Sequence, residues 1–315
     1  MQLLPRQIGA AALAICALVC GATALAQPKP VSITISYTAT PEFGAAFIAK
    51  EEGLFAKHGL DVTLQLIPVS PNVPAAVMSN SVQIGGTTPP VLLQAVDSGL
   101  DLVAVAGGGV YEKRSRGVGL VAREGVTVTK PADLVDKKVG VPGFNATIHL
   151  LVRKWLMDAG VDLKRVRFVE VPIPQMPDVL KGGSVDVVAT AEPFVSRIVE
   201  SKIGTAVPAF SGDLADGFSS VLYVATRKWA TENPRAIQAF RAAMQEAVAF
   251  GNANKDKGYE DIGKYFKVPP PILRATPWPN WDVKLQDAHL RFWVDTMQSQ
   301  AMLKRAPMLG STVLP

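Results

Sequence analysis

The sequence predicts an α/β protein of two similar lobes, each a mixed sheet flanked by helices, joined by two hinge crossovers. Two observations predict the lobes. Residues 31–66 read as strand, loop, helix, strand, and residues 137–207 repeat that order. A third predicts the hinge: apolar runs at 119–122 and 221–226 are placed to carry the chain out of the first unit and back. A β-loop-α-β unit implies parallel strands.

The first unit organises the rest. Ile33 and Ile35 lie in a β-branched run ended by Thr40-Pro41, where backbone before proline stays extended. Phe43, Phe47 and Leu54, with Ile48 and Phe55 beside them, recur at helical steps and form one apolar face. Gly53 weakens that helix and marks a break. Gly59 stops it after Lys57 and His58, cations suited to a helix C-terminus. Val62, Leu64 and Leu66 alternate with Thr63 and Gln65 as the second strand. The loop 37–42 then sits at the carboxyl edge of a parallel sheet against a helix N-terminus, where open α/β sheets bind ligands.

The chain has 315 residues, 48% hydrophobic and 19% charged, enough for two ordinary globular domains. Residues 1–26 read as a secretory signal peptide: Arg6, an apolar run over 8–19, and Ala24-Leu25-Ala26 as a small-x-small cleavage site. An uncleaved anchor is the alternative, although the run is short for a bilayer. Both cysteines, Cys16 and Cys20, fall inside it. The mature chain is then thiol-free, which excludes cysteine catalysis and thiolate metal sites. Net charge is +5, and +4 without Arg6 (31 Lys and Arg against 27 Asp and Glu). That is too mild for a nucleic-acid partner. The expected division is lobe 1 over 27–121, lobe 2 over 122–221 and a return to lobe 1 over 222–315.

Several loops carry polar groups that could meet a ligand. Residues 85–90, Gly-Gly-Thr-Thr-Pro-Pro, follow a short strand and open a helix. They offer backbone N–H groups and two hydroxyls to an anion or carbonyl, or simply make a tight turn with a threonine cap. Three glycines, 107–109, allow close approach of backbone or ligand. Tyr111 either stacks on a ligand or covers a core edge. Lys113, Arg114 and Arg116 are cleft cations or a solvated run. In the second unit the matching loop is Gly143-Phe144-Asn145-Ala146-Thr147, ahead of a helix with Ile148, Leu151, Trp155 and Leu156 on one face.

Glu42 and Glu192 both follow predicted strands. There a carboxylate pairs with an ammonium or a heterocycle N–H, or serves as the acid of a helix N-terminus. The helix reading is preferred for Glu42 and the cleft for Glu192. His58 and His289 read as surface or structural groups. His149 either bonds a cleft ligand or orients its loop. No metal-ligand spacing, G-x-S-x-G elbow, P-loop or dinucleotide fingerprint occurs. No metal, cofactor or catalytic set is therefore expected. Trp278 and Trp281 are expected to cover the back of lobe 1.

Four stretches together resemble one family. They are Glu52-Gly53-Leu54-Phe55 through Gly59-Leu60-Asp61-Val62, the Gly85-Gly86 turn, Asp133-Leu134 through Lys138-Val139-Gly140-Val141-Pro142, and Leu180-Lys181-Gly182-Gly183-Ser184-Val185-Asp186. In this order they are similar to the binding proteins for nitrate, sulfonates, taurine and thiamine-precursor pyrimidines. The resemblance covers nearly all the mature chain. It implies a type II periplasmic binding fold and a monomer that delivers a small organic anion or zwitterion to an inner-membrane ABC permease and its ATPase. By position, the ligand residues it implies are Tyr37, Thr38, Gly86, Thr87, Thr88, Gly143, Phe144, Asn145, Ala146, Thr147 and Glu192, with Glu42 beside them. Sulfonate-binding relatives often have a small serine-rich loop where Phe144 and Asn145 stand. That departure points to an organic solute with a flat or apolar part on which Phe144 stacks. A pyrimidine or aromatic carboxylate ligand, or an enzyme on the same fold, is the alternative.

Overall fold

The computed structural model describes residues 29–113, 117–305, 307 and 309–315. The expected signal peptide with Arg6, Cys16 and Cys20, and the cations Arg114 and Arg116, lie outside the described residues. The first unit folds as β1 (Val31–Tyr37), α1 (Gly44–Glu51), α2 (Leu54–Lys57), β2 (Leu60–Leu66), α3 (Val73–Met78), β3 (Ile84–Thr87), α4 (Pro89–Asp97) and β4 (Leu102–Gly107). Gly53 at φ 68° breaks α1 from α2, as the sequence predicts, and Gly59 at φ 80° ends α2. A short strand β5 (Val110–Tyr111) leads across to β6 (Val118–Arg123).

The second unit is β7 (Lys138–Val141), α5 (Thr147–Asp158), β8 (Arg167–Glu170), α6 (Met176–Lys181), β9 (Val187–Ala191), α7 (Phe194–Glu200), β10 (Gly204–Ala206) and α8 (Pro208–Asp213). The chain returns through β11 (Phe218–Ser219) and β12 (Leu222–Thr226). It finishes in α9 (Arg227–Glu232), α10 (Pro234–Ala253), α11 (Lys255–Gly263), α12 (Pro270–Ala275), α13 (Asp287–Ser299) and α14 (Leu309–Thr312).

The two sheets have the same plan. The first runs β2-β1-β3-β12-β4 and the second β8-β7-β9-β6-β10. In each, four strands run in one direction, and the fourth in order is reversed and enters directly after a crossover. Each lobe is therefore a mixed sheet with helices on its faces. One contiguous apolar core runs through both lobes, with Phe43, Phe47, Tyr223 and Phe240 fully buried in the first.

The crossovers differ from the expected positions. Residues 119–122 and 221–226 are full sheet strands, not hinges: β6 pairs with β9 from Val118↔Ala191 to Ala122↔Val187, and β12 lies between β3 and β4. Their apolar runs suit strands covered on both faces. The chain crosses upstream of each, where β5 and β11 pair as Phe218↔Tyr111 and Ser219↔Val110. Two residues per side are too few to show a period. This ribbon is buttressed from outside. Phe218 stacks on Tyr111 at 4.8 Å and on Phe292 of α13 at 4.6 Å, and Trp293 Nε1–H donates to Ser219 O at 2.6 Å. Tyr111 thus belongs to the packed core of this ribbon.

Gly86 shows why one loop glycine is needed. It lies in β3, and a Cβ there would stand 2.4 Å from Ser36 O and 2.6 Å from the Phe43 ring. Gly86→Ala should destabilise the fold by about 1–3 kcal/mol through overpacking. Chemical denaturation checks this, and an unchanged midpoint would show that β1 and β3 have slack between them.

Candidate functional site

The carboxyl ends of the parallel strands of both lobes face one another across a cleft. Thr38, Thr40, Glu42, Ser70 and Thr88 line it from the first lobe. Pro142, Ala146, Thr147, Ile148, Ile173 and Ala191 line it from the second. Ser220 and Val221, from the returning crossover, close its base. The space is narrow: the centre of a water-sized sphere has about 40 Å³ within it, room for a few waters or a tightly held small group. The lobes touch at its mouth. A Cβ on Gly143 would stand 2.8 Å from Pro71 Cδ, and Asn145 Nδ2 lies 3.4 Å from Gln94 Oε1 of α4.

Glu42 is the only titratable side chain among the described lining residues. It sits in the single turn Pro41–Phe43 between β1 and α1. Trp281 Nε1–H holds that turn by donating to Pro41 O at 3.0 Å. The stem of Glu42 fills the space that a side chain on residue 109 would take: a Cβ on Gly109 would lie 2.6 Å from both Cβ and Cγ of Glu42. Its Oε2 is shielded from solvent and has no hydrogen-bond partner. Burial pushes the carboxyl up to about 7, opposed by hydrogen bonding from its own backbone N–H and from the Thr40 hydroxyl, and the charge of Glu192 adds to the shift. The Thr88 hydroxyl is likewise buried and unpartnered. An unmet buried polar atom costs about 1–3 kcal/mol. Two of them at one cleft, Glu42 Oε2 and Thr88 Oγ1, are best explained by a ligand that supplies the missing partners.

The residues expected from sequence separate into two groups. Thr38, Glu42, Thr88, Ala146 and Thr147 line the cleft. Tyr37 instead packs edge-on to Phe47 at 4.9 Å and Tyr265 at 5.7 Å in the first lobe. Gly86 is a strand residue opposite Tyr223. Thr87 is fully buried and donates to Ser70 O at 3.3 Å. Prolines at the first two positions of α4 remove the N–H donors that its N-terminus would have offered an anion. Only Thr88 of that loop keeps a group for a ligand.

The second-lobe loop is held by its own contacts. Phe144 is 43% exposed, its N–H donates to Glu170 Oε2 at 3.0 Å, and its ring meets His149 edge-on at 5.5 Å. It points away from the cleft lining, so the expected stacking platform is not there. Asn145 takes a left-handed turn at φ 62° and donates its N–H to His149 Nδ1 at 2.9 Å. That bond places the His149 proton on Nε2, and burial, followed by the Arg153 charge, holds its pKa down to about 3. His149 is thus a neutral group that orients the loop. Thr147 Oγ1 donates to Ser220 O at 3.0 Å, tying α5 to the crossover.

The two glutamates exchange the roles preferred for them. Glu192 accepts from Ser196 N at 3.1 Å and from Ser196 Oγ at 3.0 Å, so it caps α7. It lines a separate cavity behind Val118, together with Lys113. Burial still raises its pKa, opposed by Ser196. Ser70, Ile173 and Ser220 were not foreseen, because each reaches the cleft from a distant segment. Thr40 had a signal, a hydroxyl in the loop after the first strand. His58 bonds Glu246 at 3.0 Å on the surface. Among the described residues no group of three His, Cys, Asp or Glu could hold a metal, and no helix is long and apolar enough to cross a membrane.

Two lobes of this strand order around a shared cleft define a solute-binding fold. The chain belongs to the NMT1-like family, whose model matches residues 26–260. A nitrate/nitrite binding protein of Synechococcus elongatus is 25% identical over 305 residues, 84% of this chain and 67% of that protein. The taurine-binding periplasmic protein of Escherichia coli is 25% identical over 252 residues, 77% of this chain and 74% of its own. Among solved structures, the alkanesulfonate-binding protein SsuA of Xanthomonas axonopodis pv. citri, bound to MOPS, aligns with a TM-score of 0.76 at 17% identity, covering 91% of this chain and 99% of that one. That likeness is one of fold, the type II periplasmic binding fold that the resemblance implied.

The Glu42 shift has a consequence for stability. A carboxyl raised to about 7 in the folded chain from the usual 4.5 destabilises the fold when ionised. The penalty is full above the folded value, shrinks as pH falls, and is absent below the unfolded value. At about 1.4 kcal/mol per pH unit it amounts to about 3 kcal/mol. Glu42→Gln should therefore gain about 2–3 kcal/mol relative to the parent between pH 5 and pH 8, read by ligand-free melting at both pH values. A difference that stays constant with pH would place the carboxyl in water.

Proposed function

We propose that this chain is the solute-capturing component of an ABC importer. It binds one small organic solute reversibly in the interlobe cleft and passes it unchanged to an inner-membrane permease served by an ATPase. The observation that carries this reading is the cleft itself: a narrow space between two lobes, at the edge where open α/β sheets bind ligands, with the buried unpartnered oxygens of Glu42 and Thr88 on one wall. What the relatives are named for, nitrate, sulfonates and taurine, supports a small polar solute. We take the protein to act as a monomer in the periplasm after removal of residues 1–26. In this reading lobe 1 comprises the residues up to β5 and those from β12 onward, lobe 2 lies between, and the β5–β11 ribbon is the hinge about which the lobes close. A single acid without a partnered base supports binding over catalysis.

A thermal-shift screen of residues 27–315 against amines, amino acids, sulfonates, nitrate and pyrimidines tests the reading, since a ligand specific for the folded state raises Tm. The bound compound should be recovered chemically intact, and its turnover by the purified protein would replace transport with catalysis. For any solute found, Thr88→Ala should weaken binding by about 1–2 kcal/mol, while Thr87→Ala should lower stability and leave the affinity of the folded protein unchanged. Calorimetric titration of both variants checks this, and equal affinity for Thr88→Ala and the parent would remove Thr88 from the site.

A further inference from the structure

The two walls of the cleft offer different chemistry. The first-lobe wall presents acceptors: Glu42 Oε2 and the hydroxyl oxygen of Thr88 are buried and without partners, and the Thr40 hydroxyl, which supports the Glu42 carboxyl, keeps its oxygen lone pairs. Thr40 and Thr88 are each only 6% exposed. The second-lobe wall presents the N-terminus of α5, a 12-residue helix whose preceding residue, Ala146, has no side chain to cap it. Its first N–H groups have no partner within the helix and favour partial negative charge. Among the described lining residues there is no Lys or Arg. A bare anion placed here would meet the Glu42 carboxyl with no described cation opposite it. A group that donates hydrogen bonds would meet two waiting oxygens, Glu42 Oε2 and Thr88 Oγ1.

We infer that Glu42 is the specificity residue of this cleft and that it selects solutes carrying a protonated or N–H-bearing nitrogen, an ammonium, amidinium or aminoheterocycle. The nitrogen donates to Glu42 Oε2, with Thr40 and Thr88 as further acceptors around it. Any acidic or carbonyl end of the solute turns to the α5 N-terminus. The inference rests on the reading of the cleft as the solute site. Position strengthens it. The Glu42 stem is wedged against Gly109, and a Cβ on Gly109 would also lie 2.8 Å from Ser220 Oγ. Ser220 in turn donates to Gly109 O at 2.9 Å. The carboxyl is therefore fixed where the two crossovers meet, and a charge brought to it sits at the base of the cleft. Burial, which keeps the carboxyl neutral up to about pH 7, is the state expected of an acid waiting for a cationic partner.

The test uses matched probes that differ by the nitrogen alone: 2-aminoethanesulfonate against ethanesulfonate, and 4-aminopyrimidine against pyrimidine. Each is titrated calorimetrically into the parent and into Glu42→Gln at pH 8. The expected result is at least tenfold tighter binding of an aminated member than of its partner, lost at least tenfold in Glu42→Gln. Glu42→Asp, which keeps the charge but draws it back by one methylene, should retain part of the preference. Melting of Glu42→Gln at the same pH establishes that it is folded. Equal or tighter binding of the member without nitrogen overturns the inference and leaves the transport reading standing. So does an affinity for the aminated probe that Glu42→Gln does not change. Ethanesulfonate should bind Glu42→Gln at least as well as the parent, because it makes no use of the carboxylate; a parallel loss of both members of the pair would show a general defect of the cleft and overturn the inference. Conversion of an aminated probe to product would sink the transport reading while leaving the nitrogen preference intact.

Discussion

A carboxyl group wedged at the meeting point of two crossovers is the constraint on which this cleft depends. Glu42 reaches it because residue 109 is glycine, and any larger residue there would collide with its stem. Trp281 fixes the turn that carries Glu42 through its bond to Pro41 O. The second lobe is tied to the same point, since Thr147 donates to Ser220 O and Ser220 donates to Gly109 O. Hydrogen bonds thus connect α5, the returning crossover and the outgoing crossover, and the Glu42 stem packs against the last of these at Gly109. A change in any of the four is felt where the solute would sit.

The repeated sheet plan explains why the cleft lies there. Each lobe ends its parallel strands at the same edge, and the reversed strands β6 and β12 bring the crossovers to that edge. The ribbon of β5 and β11 has only two residues on each side. It keeps its place through aromatic stacking from α13 and the Trp293 bond to Ser219. Helix α13 therefore serves the site by bracing this ribbon from behind.

Much of this was legible in the sequence because it is local. Gly53 and Gly59 mark the break and the end of the first helix pair, and the alternation after Gly59 marks β2. The four stretches that carry the family resemblance were enough for the fold. What was not legible depends on distant contacts. Thr87 and Thr88 are adjacent hydroxyls in one turn, and only the position of Ser70 decides that Thr87 is spent and Thr88 is free. Glu42 and Glu192 occupy equivalent places after strands, yet Ser196 caps one and nothing caps the other. Phe144 reads as a stacking platform until its N–H is bound to Glu170 and its ring turns to His149. Helix α12 was not legible either, although Pro270 and Pro271 sit in its first turn, where proline is tolerated.

The most direct measurement is the titration of the Glu42 carboxyl itself, followed by carbon NMR in selectively labelled, ligand-free protein with Glu42→Gln as the assignment control. The account predicts a midpoint near 7, falling when an aminated solute occupies the cleft. A midpoint in the ordinary carboxylate range in the empty protein would contradict it, because the carboxyl would then be solvated and free of the demand that makes it select a partner.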